Sequence, residues 1–326
     1  MSKSRHTGKR FFVVVLVIVG AIGFFFYRAF RQNWQSVKSY HFEPEYPPLL
    51  GAVAAIVGSA LLGTLAWQVS INTLSGRRPF TFVESFATVN SSSLTKYVPG
   101  KIWSYALQMY WLTNAGLQKS LVVYVNLLNI AMAVINSTLA ALVLLALASG
   151  RERVALLLTI AVAMLACEVV GLLFHARVFK LAAALVARFF KRELVYYEFS
   201  VKLLVELHLL HFGAALLCGV STYLTCLGIH GTIGPQGVPV MMAAFLFGDV
   251  AGFLALVVPG GIGVREAVMY WVMGAASGGT LALVLPLVLR LLGMLTDIAL
   301  GTLAILLLRK LTRIDAESSK PVERLG

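Results

Sequence analysis

Four ionisable side chains sit in stretches that are otherwise apolar, and their types suit the capture of an anion. Arg265 and Glu266 are neighbours in "GGIGVREAVMYW". Arg290 lies in "LVLPLVLRLLGMLTDIALGTL", and Asp297 follows seven residues later, two turns along the same helical face. Charges within a membrane-spanning stretch usually face a bundle interior or a wet cavity and mark a pathway. Two guanidinium groups suit a phosphate, and two carboxylates would balance charge or carry a proton. The competing reading is a structural ion pair, Glu266 with Arg290. Asp249 and Glu84 are weaker candidates. Glu168, His175, Lys202, Glu206, His208 and His211 fall toward the ends of apolar runs, where interfacial solvation explains them more cheaply.

The turn that carries Arg265 and Glu266 occurs twice. "VPGGIGVREAVMYW" runs from Val258 to Trp271 and "VPGKIWSYALQMYW" from Val98 to Trp111, with seven identical positions in register and 160 residues between them. Each Pro-Gly break ends one helix and starts another, at Gly261 and at Lys101. A helix N-terminus offers unpaired N–H groups and a positive dipole end, which together attract anions. Pro99, Gly100 and Lys101 in the first copy, and Pro259, Gly260, Gly261 and Gly263 in the second, are therefore candidate substrate contacts with Arg265, Glu266, Arg290 and Asp297. Lys96 and Lys101 add full charge to the first. The alternative is that the glycines only permit close helix packing.

These elements need a scaffold, and composition sets its class. Hydrophobic residues make up 59% of the 326 and charged residues only 13%. So apolar a chain belongs in lipid, where helices satisfy their own backbone groups. Apolar runs at 11–30, 49–71, 121–148, 154–174, 203–227 and 280–308 predict six transmembrane helices. Segments 81–113 and 239–275 predict two re-entrant helical hairpins, the first too polar to cross and the second cut by Pro259-Gly260-Gly261. The fold class expected is an all-α polytopic membrane protein with these hairpins in an inverted repeat, because an odd number of spans in each half reverses its orientation. The halves are 1–150 and 151–313 of a single membrane domain, followed by a disordered cytoplasmic tail, 314–326.

Lysine and arginine set the expected orientation. Lys3, Arg5, Lys9 and Arg10 place the N-terminus inside, Arg77 and Arg78 mark the next inner loop, and Arg309, Lys310 and Arg313 keep the C-terminus inside. The predicted location is the plasma (inner) membrane. The N-terminal run has no small-x-small cleavage site and reads as a retained span. Segment 177–192, "RVFKLAAALVARFFKR", gathers Arg177, Lys180, Arg188, Lys191 and Arg192 in one helical sector and predicts a surface helix on anionic inner-leaflet lipid. The net charge of +13 is thus assigned to membrane surfaces, not nucleic acid.

Enzyme signatures are missing: there is no GxxxxGK[ST], HExxH or GxSxG, and "GGIGVRE" lacks the third glycine of a dinucleotide turn. Three scattered cysteines, Cys167, Cys218 and Cys226, and three isolated aspartates argue against a metal centre. No cofactor is expected.

"VVPGGIGVREAVMYWVMG" followed by the Arg290 span resembles the membrane domain of lysylphosphatidylglycerol synthases and its stand-alone relatives. The family pattern falls here on Pro259, Gly261-Ile262-Gly263, Glu266-Ala267 and Arg290. "SLTKYVPGKIWSYALQMYWLTNAG" is similar to the family's first hairpin, with Lys101 where a second glycine is usual. The resemblance implies movement of a phospholipid or a polyprenyl-phosphate-linked lipid between leaflets. With the sequence ending thirteen residues past Arg313, the synthases' soluble aminoacyltransferase domain is expected to be absent, and lysyl transfer with it. Two further expectations stay open: a non-transporting subunit that presents lipid to a glycosyltransferase or other lipid-modifying enzyme, and an intramembrane enzyme using Glu266 as acid or base.

Overall fold

The computed structural model describes residues 31, 35, 38, 43–76, 80–97, 103–149, 151–173, 177, 197, 200–231, 233–255, 261, 263–277 and 279–318. The first apolar run, the surface-helix segment apart from Arg177, and both Pro-Gly turns (Pro99, Gly100 and Lys101; Pro259 and Gly260) lie outside the described residues. Among those described, all regular structure is helical: α1 Tyr46–Ser75, α2 Phe82–Ser93, a 3₁₀ turn Leu94–Tyr97, α3 Trp103–Asn114, α4 Lys119–Ala148, α5 Arg151–Leu173, α6 Val201–His230, α7 Gly237–Leu254, α8 Val264–Ser277 and α9 Gly279–Ser318. The chain is an all-α polytopic membrane protein.

Local chemistry sets the helix ends. Prolines occupy the first turn of α1, where no N–H partner is required, and Gly76 closes it in the left-handed region at φ 59°. Thr81 and Glu84 form a capping box on α2: the Glu84 N–H donates to Thr81 Oγ1, and the Thr81 N–H donates to Glu84 Oε2 at 2.8 Å. Glu84 is thus a capping residue. The hydroxyls of α2 largely turn back on their own helix, Thr88 to the Glu84 carbonyl and Ser93 to that of Asn90, which lets a polar helix be buried.

Five helices are long and apolar enough to cross a membrane among the described residues: α1, α4, α6, α7 and Thr280–Lys310 of α9. Four of them cover expected spans. The fifth, α7, is the first arm of the second hairpin, and its 18 residues extend about 27 Å. Its partner α8 has 14 residues, about 21 Å, and falls short. The second hairpin is uneven, whereas both arms of the first, α2 and α3, have 12 residues. The α5 helix covers the expected 154–174 run, with a shorter apolar stretch, Arg153–Ala166. The last helix continues through Ser318, past the Arg313 boundary expected for a polar tail.

The α1 and α6 helices each precede the hairpin of their half, and they pack against each other in opposite directions. Gly51 meets Leu224, Gly58 meets Leu217 and Leu62 meets Gly213, so one number falls as the other rises. Ser59 Oγ lies 3.1 Å from Cys218 Sγ in the same seam. Small residues let these backbones approach, which is how apolar helices associate where water supplies no driving force. Each hairpin then packs its first arm on the last helix of the other half: α2 on α9, and α7 on α4. Leu94, just past α2, fills the hollow at Gly301 of α9. Phe247 of α7 packs with Leu139 and Leu142 of α4. Antiparallel counterparts with exchanged hairpins are the geometry of an inverted repeat.

Candidate functional site

The second hairpin is held together by missing side chains. On α7, Gly248 and Gly252 face Arg265 and Met269 of α8. At the tip, Gly261 adopts φ +65°, and a methyl group there would lie 2.5 Å from the Gly252 carbonyl oxygen. Both the backbone conformation and the space demand glycine. Gly261 therefore brings backbone to backbone, the close-packing role weighed above against a ligand contact.

Gly263, at φ +83°, opens α8. Its N–H donates to Glu266 Oε2 at 2.6 Å, so the carboxylate three residues on caps the helix that carries it. This positive helix end thus holds the protein's own carboxylate, that of Glu266. The other carboxylate oxygen, Oε1, accepts from Arg290 Nη1 of α9 at 2.5 Å. The Glu266 side chain is only 5% exposed, and Arg290 is mostly buried. The ion pair expected as the competing reading thus exists. Pro286 interrupts the hydrogen-bond ladder of α9 one turn before Arg290.

Arg265 points the other way. Its Nη1 lies 3.1 Å from Asp249 Oδ1 of α7, and its guanidinium covers the Phe245 ring at 4.2 Å. Neighbouring residues on α8 therefore pin it to two helices, Arg265 to α7 and Glu266 to α9. Asp249 is 54% exposed on its side chain, which makes this the open pair of the two. Asp297 is half-buried on α9, about 10 Å beyond Arg290 along the helix. Lys96 lies in the 3₁₀ turn after α2.

Sequence reasoning underrated a second polar group. His208 and His211 are not merely solvated span-end residues. His208 Nδ1 lies 3.2 Å from Asn136 Oδ1, and His211 Nε2 lies 3.2 Å from Asn129 Oδ1, both on α4. Spacing held the signal: the histidines are three apart, and the asparagines, in an apolar helix, are seven apart on one face. No cluster of three or more metal-ligating side chains occurs among the described residues.

Five helices long and apolar enough to cross a membrane, with a buried ion pair where the second hairpin meets the last helix, define a helical integral membrane protein. Residues 11–301 match the family model described as "Lysylphosphatidylglycerol synthase TM region". The chain belongs to that family, as the membrane domain. No curated protein compared with the chain matches it.

Proposed function

We propose that the protein moves a phosphate-bearing lipid, either a phospholipid or a polyprenyl-phosphate-linked intermediate, between leaflets without changing it chemically. The Glu266–Arg290 contact carries this reading. A buried guanidinium that already holds one anion can exchange it for another, so a lipid phosphate displacing Glu266 Oε1 never leaves Arg290 bare. Glu266 keeps its second oxygen on the Gly263 N–H throughout, and the hairpin stays capped. Breaking the Arg290 contact would release α8 from α9 while Arg265 and Asp249 still tie it to α7. The hairpin then moves as one body against the other half, as alternating access requires.

In this reading, the hairpins enter from opposite compartments, the termini are cytoplasmic, and acyl or isoprenoid chains stay in the bilayer while the headgroup crosses. The 177–192 segment rests on anionic inner-leaflet lipid. The test is leaflet transfer of a fluorescent phospholipid in vesicles containing the purified full chain. Arg290→Ala should abolish transfer while circular dichroism shows the fold retained. Unchanged transfer by that variant would remove Arg290 from the pathway.

A further inference from the structure

A second polar group lies between the halves, away from the hairpin tip. Hydrogen-bond bookkeeping fixes its protonation pattern. The Ser70 hydroxyl donates to the Ala66 carbonyl at 2.9 Å, so its oxygen receives the N–H of Asn129 Nδ2 at 3.0 Å. Asn129 Nδ2 also donates to the Val125 carbonyl. The amide oxygen must then face His211, and since it can only accept, His211 Nε2 carries the proton. Asn136 Nδ2 donates to the Met132 carbonyl at 2.9 Å, so its oxygen faces His208, whose Nδ1 carries the proton. On each imidazole the asparagine thereby fixes the position of one proton. The other ring nitrogen, Nε2 of His208 and Nδ1 of His211, is the atom that can take up a further proton.

Packing alone does not require this cluster. Counted from the first residue of each helix, His208 and His211 on α6 correspond to Val53 and Ile56 on α1. Asn129 and Asn136 on α4 correspond to Leu289 and Thr296 on α9. At these matched positions the inverted copy of the contact, α1 on α9, has no imidazole and no amide. The Thr296 hydroxyl bonds its own helix at the Leu292 carbonyl. One scaffold is built twice and made protonatable once. His211 is buried and about 15 Å along α6 from Val201, while half-buried His208 lies one turn nearer that end.

We infer that His208 and His211, held by Asn136 and Asn129, form an intramembrane proton-binding site at the interface of the two halves. Protonation turns each imidazole into a double donor and sets two positive charges three residues apart on α6. The elements packed against that helix offer few counter-charges. The α1 helix has none, and α4 has only Lys119 at its first residue. Asp249 of α7 faces Arg265, and α9 carries Arg290 on Glu266, with Asp297 as the remaining acid of its apolar stretch. On α6 itself, Lys202 lies 3.7 Å from Glu206. Each imidazolium still donates to its asparagine, but two positive charges buried without counter-charge favour water between α4 and α6, so proton binding opens that contact between the halves and release closes it.

The test needs no lipid-transfer measurement. The full chain in lipid nanodiscs is jumped across about pH 4 to 8, the range in which histidine commonly titrates. Proton uptake is read with an indicator dye, and the α4–α6 separation with a pair of spin labels. Reversible uptake with a change in separation is expected for the unaltered chain. In His208→Gln/His211→Gln, whose side-chain amides keep an N–H donor for the asparagines, uptake should fall by up to two protons per chain, the other four histidines still titrating, and the change in separation should be lost. Equal uptake by the double variant overturns the proposal, as does a separation that ignores pH. Should the double variant not fold, histidine-selective nitrogen NMR of the unaltered chain decides: imidazoles that stay neutral throughout overturn the site, and titrating ones uphold it. A chain that fails to move lipid but passes this test retains its proton site.

Discussion

Removing Glu266 takes two things from the protein at once. Arg290 loses a carboxylate that is 5% exposed, and the Gly263 N–H loses its acceptor. Breaking a buried ion pair by deleting one partner costs about 3–5 kcal/mol. Arg290 keeps 21% of its side chain accessible, so the lower figure, about 3 kcal/mol, is the one to apply. A lost helix cap adds about 1 kcal/mol. Glu266→Ala should therefore destabilise by about 4 kcal/mol, and Arg290→Ala, which strands the more deeply buried Glu266 but leaves it capping α8, by about 3–5 kcal/mol. Replacing both partners, Glu266→Gln with Arg290→Met, leaves no bare charge and keeps one oxygen for the Gly263 N–H. That pair should lose less than either alanine variant. Unfolding in mixed micelles titrated with SDS, followed by far-UV circular dichroism, compares these variants, and the unaltered chain, Glu266→Gln, Arg290→Met and their combination form the cycle. A coupling energy of about 2–3 kcal/mol is expected. Additive losses of about 1 kcal/mol or less per variant, as exposed pairs give, would refute the buried bridge.

Two further outcomes follow from the packing. Ser59→Cys should form an intrachain disulfide with native Cys218 under mild oxidation, because the atoms they replace or provide lie 3.1 Å apart; peptide mapping that finds no such bond would contradict the antiparallel α1–α6 register. Gly261→Ala should cost at least about 2 kcal/mol through its left-handed backbone and the Gly252 carbonyl. Gly274→Ala, in an exposed helical position with nothing within 4 Å, should be neutral or gain about 0.5–1 kcal/mol. Thermal melts that rank the two alike would remove the argument for a glycine-built tip.

The scaffold was legible in the sequence because it rests on patterns that repeat. Long apolar runs fixed α1, α4, α6 and α9, and the paired Val-Pro-Gly turns placed both hairpins. Hydropathy could not separate the arms of the second hairpin, since α7 is as apolar as a full span and only the glycines facing α8 show that it folds back. Partners were harder still. The sequence named Arg265, Glu266 and Arg290, but which carboxylate meets which guanidinium depends on how α8 is rotated between α7 and α9. That rotation is set by Gly248 and Gly252, which carry no chemical signal of their own.

The two halves share an order of helices and differ in chemistry, and that difference bears on how the molecule could work. At the hairpin, Arg265 and Glu266 align with Tyr105 and Ala106, and Arg290 aligns with Ile130. The histidine–asparagine contact likewise has an apolar counterpart. A perfectly symmetric pair of halves would face both membrane surfaces with equal energy and give transport no direction. Buried charge in one hairpin and protonatable groups on one seam make the two arrangements unequal. The two groups sit on different kinds of contact: Glu266 of α8 on α9 within one half, and His208 and His211 of α6 on α4 between the halves. An anion at the first contact or a proton at the second changes the strength of that contact alone. A ligand shifts a two-state equilibrium only by the difference in its affinity for the two states, and these are the places in the structure where such a difference can arise.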